Sequence, residues 1–152
     1  MKKITFILLA LLVLFSSCEK DDICVEETTP RLKIKFYNFE NQEELKKANI
    51  DSIYLETYEV MQSTLNVSVD SVYVPLNLTV NTTNLIIAAN SVSDTLSFTY
   101  SRNDEFVSRS CGFKTIFENV VLTNHTKNWI KLAILNTQTI ENEEQTHISI
   151  YH

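Results

Sequence analysis

The segment Arg31-Leu-Lys-Ile-Lys-Phe-Tyr37 alternates apolar and charged side chains. Leu32, Ile34 and Phe36 share one face, and the basic residues occupy the other. A period of two residues is typical of a β-strand with one buried and one solvated face. The segment therefore predicts a half-buried strand near the start of a globular domain.

The same alternation recurs along the chain. It is clearest in residues 52–59, 71–80 and 94–101, and weaker in 85–88, 105–111, 129–135 and 147–151. Helical patterns are limited to residues 41–47 and 115–120, each short enough for a single turn or a loop. Many short strands without long helices are typical of β-sandwiches. We therefore predict an all-β protein, an antiparallel β-sandwich of about seven to nine strands with at most one or two short helical turns.

Asparagine is abundant, whereas Gly112 is the single glycine. Asparagine tolerates the left-handed conformation better than most residues. We therefore expect it at turns, in residues 81–84, 89–91, 102–104 and 124–126. One glycine also excludes glycine-rich phosphate loops, dinucleotide fingerprints and hydrolase nucleophile elbows.

The N-terminus has the pattern of a bacterial lipoprotein signal. Lys2 and Lys3 precede an apolar run from Ile4 to Phe15, which is too short to span a bilayer, and two serines lead into Cys18. Phe15 stands where lipoprotein signals usually carry leucine. We predict a signal peptide over residues 1–17 and lipidation of Cys18, since two or more acyl chains anchor a protein stably. A cytoplasmic protein with a coincidentally apolar N-terminus is the remote alternative.

Residues 18–29 form an acidic tether that precedes a single β-sandwich domain over residues 30–152. Within it, Lys20, Asp21 and Asp22 resemble the acidic export signal that carries Bacteroidetes lipoproteins to the cell surface. We therefore predict a lipid-anchored outer-membrane protein that faces the cell exterior. The alternative is a periplasm-facing protein whose acidic tether only stays solvated.

The net charge limits the choice of partners. The full chain carries −6, and loss of Lys2 and Lys3 leaves 11 basic against 19 acidic residues, or −8. A negative domain disfavours nucleic acid and peripheral attachment to anionic lipid. The predicted partners are the membrane, through the lipid anchor, and an envelope protein or a glycan.

With Cys18 lipidated, Cys24 and Cys111 remain as an even pair in an oxidising compartment. A disulfide between them would link the start of the domain to its middle, and we favour it over two free thiols. An exposed free Cys24 would be a liability outside the cell.

Catalytic and metal-binding patterns are weak, and we assign no catalytic residue, metal ligand or cofactor. His125, His147 and His152 are expected to be surface residues rather than a zinc site, because His147 and His152 would point to opposite faces of one strand. The acidic cluster at residues 141–144 lacks the spacing and glycine of a calcium loop.

Three motifs of the form Asp-(Ser/Thr)-aliphatic match the O-glycosylation pattern of exported Bacteroidetes proteins. They make Ser52, Ser71 and Thr95 candidate glycosylation sites, each at an expected strand start. The alternative is that such motifs simply lead from a turn into a strand.

The aromatic residues are expected to divide between the core and the surface. The expected core members are Phe36, Phe98, Phe117 and Trp129. Tyr37 and Tyr58 could face solvent and stack on a sugar ring.

Several segments together resemble a family of flavobacterial-type lipoproteins of unknown function. They are residues 18–24, 29–37, 94–100, 107–117, 140–143 and 147–151, of which the segment around Cys111-Gly112 is the most specific. The resemblance implies a shared fold and a surface or periplasmic address, and it suggests that Cys24 and Cys111 act together. It brings no catalytic residue.

Two functions remain open. We favour a non-enzymatic envelope lipoprotein that binds a partner or supports a surface assembly. The alternative is an envelope hydrolase with a carboxylate- or histidine-based site, which would require a deep cleft lined by such groups.

Overall fold

A computed structural model describes residues 23–24, 28–56 and 58–152 of the chain. These residues form nine strands and no helix. The strands are β1 Leu32–Tyr37, β2 Ala48–Leu55, β3 Tyr58–Val69, β4 Ser71–Val74, β5 Thr82–Ala89, β6 Val92–Ser108, β7 Gly112–His125, β8 Leu132–Leu135 and β9 Ile148–Tyr151.

The strands form two sheets that pack face to face. One sheet has the order β4-β1-β9-β8, and the other has the order β3-β2-β5-β6-β7. Buried side chains from both sheets form one hydrophobic core, with Phe36 from β1, Phe98 from β6 and Phe117 from β7 among the largest. Trp129 packs against this core while remaining half-buried. The all-β sandwich prediction is confirmed.

One pair of neighbouring strands, β1 and β9, is parallel, while the other pairs are antiparallel. Residues 34–37 pair with residues 148–151 in register. β1 and β9 are the first and last strands in the sequence, so the chain forms strands β2 to β8 between them. Alternation within a strand carries no information about the direction of its neighbour, and the sequence therefore could not reveal this pair.

Element boundaries differ from the prediction at several places. Residues 115–120, expected as a short helical turn, lie inside β7, and the strand expected over residues 71–80 ends at Val74. The expected strand over residues 52–59 spans two elements, because β2 ends at Leu55 and β3 begins at Tyr58. The expected turn at Arg102-Asn103-Asp104 lies inside the continuous strand β6, where Asn103 and Asp104 pair with residues of β7. Three polar residues in succession look like a turn, but here they are exposed strand residues.

Asparagine serves where glycine usually would. Asn90 and Ser91 both have positive φ angles, of 50° and 64°, between the paired residues Ala89 and Val92. Two central residues with positive φ make the tight turn that matches the twist of a β-hairpin. The turn expected around Asn90 is confirmed. Asn66 and Asn119 also adopt positive φ, but they do so within strands.

Candidate functional site

The N-terminal segment is covalently joined to the turn between β6 and β7. A disulfide links Cys24 to Cys111, with the two Cα atoms 4.8 Å apart. The structure thus contains the disulfide that we favoured from the sequence. Nearby, the backbone N–H of Thr115 donates a hydrogen bond to Oγ1 of Thr29 at 2.9 Å. The tether therefore contacts the domain at Cys24, six residues after Cys18, and again at Thr29.

Residues 102–114, here called the hairpin arm, extend beyond the rest of the sheet. β5 pairs with β6 only as far as Thr99, whereas the pairing of β6 with β7 continues to Ser108 and Gly112. Residues 102–106 are exposed without interruption. The arm therefore has solvent on both faces along much of β6 and carries the disulfide at its end.

Two aromatic side chains at the end of the arm are unusually exposed. Phe106 and Phe113 are cross-strand partners whose ring centroids lie 5.4 Å apart in an edge-to-face arrangement. Their exposed fractions are 61% and 69%, and that of Ile23, next to the disulfide, is 76%. Among the described large apolar residues, these three are the most exposed.

A separate apolar cleft of about 320 Å³ opens where β3 and β4 form the edges of the two sheets. Its lining consists of Arg31, Ile53, Leu65, Val67, Val69, Val72, Tyr73, Val74 and Pro75. Because β3 and β4 are edge strands, no further strand covers the apolar side chains that lie between them. A shallower depression of about 480 Å³ lies along β7 and β8 and mixes apolar with amide-bearing residues.

Charged groups hold one rim of the apolar cleft. Arg31 forms a two-pronged ion pair with Glu143, with Nε–Oε1 and Nη2–Oε2 distances of 2.8 Å. The guanidinium lies 4.9 Å from the ring centroid of Tyr73, and the Lys33 ammonium lies 5.5 Å from it. The hydrogen bond from Arg31 lowers the pKa of the Glu143 carboxyl. The rim is therefore crossed by an ion pair, and the Tyr73 ring already has cationic neighbours.

His147 is fully buried, which corrects the expectation of a surface histidine. Its Nδ1 accepts a hydrogen bond from the backbone N–H of Lys33 at 2.9 Å. Burial lowers the pKa of His147, and the Lys33 charge lowers it further, against the opposing effects of the Asn142 carbonyl and Glu143. Burial therefore favours the neutral form of the ring, whose Nδ1 links β1 to the segment before β9, while its buried Nε2 has no hydrogen-bond partner among the described residues.

Asp94 is a second buried polar residue, and it organises the loop before β8. Its carboxylate accepts hydrogen bonds from the Thr126 hydroxyl and from three consecutive backbone N–H groups, those of residues 128–130. Burial alone would raise the pKa of Asp94, but these four hydrogen bonds together hold it below its ordinary value. Asp94 is a structural anchor for this loop.

The three glycosylation candidates occupy different local settings. Ser71 begins β4, as expected, whereas Ser52 and Thr95 lie inside β2 and β6, so the expectation of strand starts is wrong for these two. All three residues are half-buried. Asp94, the acidic residue of the Thr95 motif, is buried. Glycosylation itself stays a prediction.

Several predicted residues lie outside the described part of the chain. They are the lipidation site Cys18, the export residues Lys20, Asp21 and Asp22, and the side chain of Tyr58. Tyr37 stacks on Tyr151 with ring centroids 5.4 Å apart, so one of its faces is covered.

Within residues 23–24, 28–56 and 58–152, no group of three or more histidine, cysteine or acidic residues could hold a metal ion. The same residues include no helix with the length and apolar character needed to cross a bilayer.

The sequence offered a signal for some of these features and none for others. Phe106 and Phe113 lie symmetrically about the turn before Cys111-Gly112, so hairpin pairing there would have predicted their contact. Arg31 and Glu143 are 112 residues apart, and no local pattern connects them.

Comparison with known proteins gives one match. A model of the Family of unknown function (DUF6452) matches residues 51–152, about two thirds of the chain. The matched region includes Cys111 but neither Cys18 nor Cys24. No curated protein and no solved structure matches.

Proposed function

Because the chain belongs to the Family of unknown function (DUF6452), it inherits no assigned role, and we propose one from its own residues. We propose that it is a Bacteroidetes-type envelope lipoprotein, anchored in the outer membrane through Cys18 and facing the cell exterior. Its sandwich is a non-enzymatic binding module for another envelope protein.

The observation that carries this proposal is the Cys24–Cys111 disulfide. Structural disulfides form and persist outside the reducing cytoplasm. That supports export, which is what the charged, apolar and small-residue pattern before Cys18 also indicates. Lys20, Asp21 and Asp22 support the cell-surface address over a periplasm-facing one.

The binding surface we propose is the apolar cleft between β3 and β4. Its valine-rich walls suit apolar side chains of a protein partner. They suit a glycan less, because sugar rings stack on free aromatic faces, whereas the Tyr73 ring has Arg31 and Lys33 beside it. Among the described residues, Glu143 is held in an ion pair and Asp94 anchors a loop, while His147 accepts a backbone hydrogen bond at Nδ1 and buries its Nε2 without a partner. None of these three residues lines the apolar cleft, so that cleft is not the carboxylate- or histidine-lined site that a hydrolase would require.

The anchor is tested by mass spectrometry and membrane fractionation of the protein made in its own type of host. We expect a mature N-terminus at Cys18 that carries acyl mass, and a Cys18→Ser variant that keeps its signal peptide and lacks that mass. Cys24→Ser is the matched control and should remain acylated. An unmodified wild-type protein in the soluble fraction would refute the anchor.

Surface exposure is tested by protease treatment of intact cells. Asp21→Asn/Asp22→Asn should protect the protein from digestion without changing its acylation. The variant Glu26→Gln/Glu27→Gln removes the same charge outside the export signal and should remain accessible. Equal accessibility of both variants would favour a solvated tether without a sorting role.

The binding surface is tested by photo-crosslinking in cells. A benzoylphenylalanine in place of Val67, at the cleft, should give one discrete adduct with another envelope protein. The same residue in place of Val121, which is similarly exposed on β7, should not. The same adduct from both positions, or from neither, would reject the cleft as the binding surface.

A further inference from the structure

We propose that the end of the hairpin arm contacts the membrane, and that Phe106, Phe113 and Ile23 insert into the headgroup region beside the lipidated Cys18. This inference rests on the proposed lipid anchor. It adds a second attachment that fixes the orientation of the domain.

Covalent reach confines the arm to the neighbourhood of the anchor. Six residues separate Cys18 from Cys24, and a chain of six residues spans at most about 22 Å. The disulfide adds a Cα–Cα distance of 4.8 Å to Cys111. The end of the arm therefore lies within about 27 Å of the acylated residue, whatever path the intervening chain takes.

The distribution of apolar exposure agrees with this geometry. The three most exposed large apolar residues in the described part of the chain, Ile23, Phe106 and Phe113, all lie at or beside this disulfide. Aromatic rings exposed at one end of a domain suit the interface between water and lipid, where an apolar face enters by about 5–10 Å.

Charge supports the same orientation for the turn of the arm, which differs from the acidic tether beside it. The chain is acidic overall, at −6, and an acidic surface is repelled by anionic lipid. Residues 106–113 nevertheless contain no acidic residue and one cation, Arg109. Asp104 and Glu105 immediately precede Phe106. The acidic surface of β6 therefore begins next to the residues that are proposed to insert.

A second copy of the chain fits this surface less well. Phe106 and Phe113 offer at most about 500 Å² per copy, even if fully buried, and Ile23 is the single further apolar residue of the patch. A stable interface buries about 800 Å² per partner. A membrane contact needs less area, because the acyl chains already hold the protein at the surface.

The test uses the acylated protein in vesicles of phosphatidylethanolamine and phosphatidylglycerol that contain phosphatidylcholine with brominated acyl chains. Bromine quenches tryptophan fluorescence only at short range. Phe113→Trp adds a reporter to the arm, and Trp129, which packs against the core, is a constant background in every variant. Val92→Trp is the matched control at the other end of β6, about 50 Å along the strand.

We expect bromine to reduce the added emission of Phe113→Trp by about twofold or more, which corresponds to the 5–10 Å insertion depth, and to leave that of Val92→Trp unchanged. Removing the disulfide by Cys24→Ser/Cys111→Ser should weaken the quenching of Phe113→Trp while vesicle flotation continues.

The outcomes separate the two proposals. A wild-type protein that does not float with vesicles refutes the lipid anchor, and the membrane contact with it. A protein that floats with an unquenched Phe113→Trp refutes the membrane contact alone. A blue-shifted but unquenched reporter would show that a protein surface covers the arm instead, which also overturns the contact.

Discussion

The two halves of β6 form one continuous strand in very different surroundings. From Asp94 to Tyr100, alternate side chains enter the core between the sheets, and β5 and β7 flank the strand. From Ser101 to Ser108 the strand pairs only with β7, and alternation of burial disappears. Pairing with β7 alone thus extends β6 beyond the hydrophobic core, and the disulfide at Cys111 holds the end of this extension. The comparison predicts that similar substitutions in the two halves have unequal effects.

The largest effect is expected from removing the disulfide with Cys24→Ser/Cys111→Ser. The bond closes a loop across a sequence separation of 87 residues, and the chain-entropy model gives it about 4–5 kcal/mol of stability. Urea unfolding of the oxidised protein measures the loss, and the reduced wild type should match the double variant. A loss below about 1 kcal/mol would mean that the arm opens independently of the sandwich.

Phe98→Ala and Phe106→Ala make the same chemical change in the two halves. Phe98 is buried, and its truncation should cost about 4 kcal/mol, because it removes apolar contacts and leaves a cavity. Phe106 is largely exposed and packs mainly on its cross-strand partner Phe113, so its truncation should cost at most about 1 kcal/mol. Thermal or urea unfolding of the purified protein compares the two. Equal losses would show that the arm is packed against another surface in solution.

Asp94→Asn should lower stability by about 3 kcal/mol, because one amide cannot replace a carboxylate that accepts four hydrogen bonds. Asp104→Asn is the control in the exposed half. The Asp104 carboxylate accepts a hydrogen bond from the Thr115 hydroxyl, and its replacement should cost less than about 0.5 kcal/mol.

The lowered pKa of Asp94 also predicts a pH dependence. The unfolded chain binds this proton at a higher pH than the folded protein does, so the stabilisation is complete above the unfolded pKa of about 4. It is lost as the pH falls through the folded pKa. Urea unfolding at several acidic pH values should show a shallower decline for Asp94→Asn than for the wild type. Parallel declines would contradict this role.

Tyr100→Phe tests the boundary between the two halves and should cost about 1–2 kcal/mol. The Tyr100 hydroxyl lies 2.6 Å from the Thr83 hydroxyl and donates to the carbonyl oxygen of Asn77 at 2.8 Å. Its loss leaves buried polar atoms with fewer partners. Tyr73→Phe, at an exposed position, should be close to neutral by the same unfolding measurement. A neutral Tyr100→Phe would mean that water replaces the hydroxyl.

Sequence patterns predicted the body of the sandwich better than its arm. Alternation located β1 and the first half of β6, because a core on one side imposes a period of two. It failed at residues 102–106, because solvent on both faces removes that constraint. Asn90 was recognised as a turn residue from its tolerance of positive φ, whereas Asn66 and Asn119 use the same property inside strands.

Some features of the candidate sites could be expected from the sequence, and others could not. The disulfide between Cys24 and Cys111 was favoured from the cysteine number and the predicted compartment, and the structure contains it. The burial of His147 and the ion pair of Arg31 with Glu143 depend on contacts between residues more than 100 positions apart. Such contacts arise when the sheets assemble, and local patterns do not contain them.

By itself, the sequence determined the all-β class and made the two cysteines candidates for a disulfide, because alternation and the number of thiols are local or countable properties. The tertiary structure alone decided the parallel pairing of β1 with β9, the neutral burial of His147 and the position of the aromatic pair beside the disulfide. These features depend on which distant segments become neighbours, and that is settled only when two sheets bury a common core.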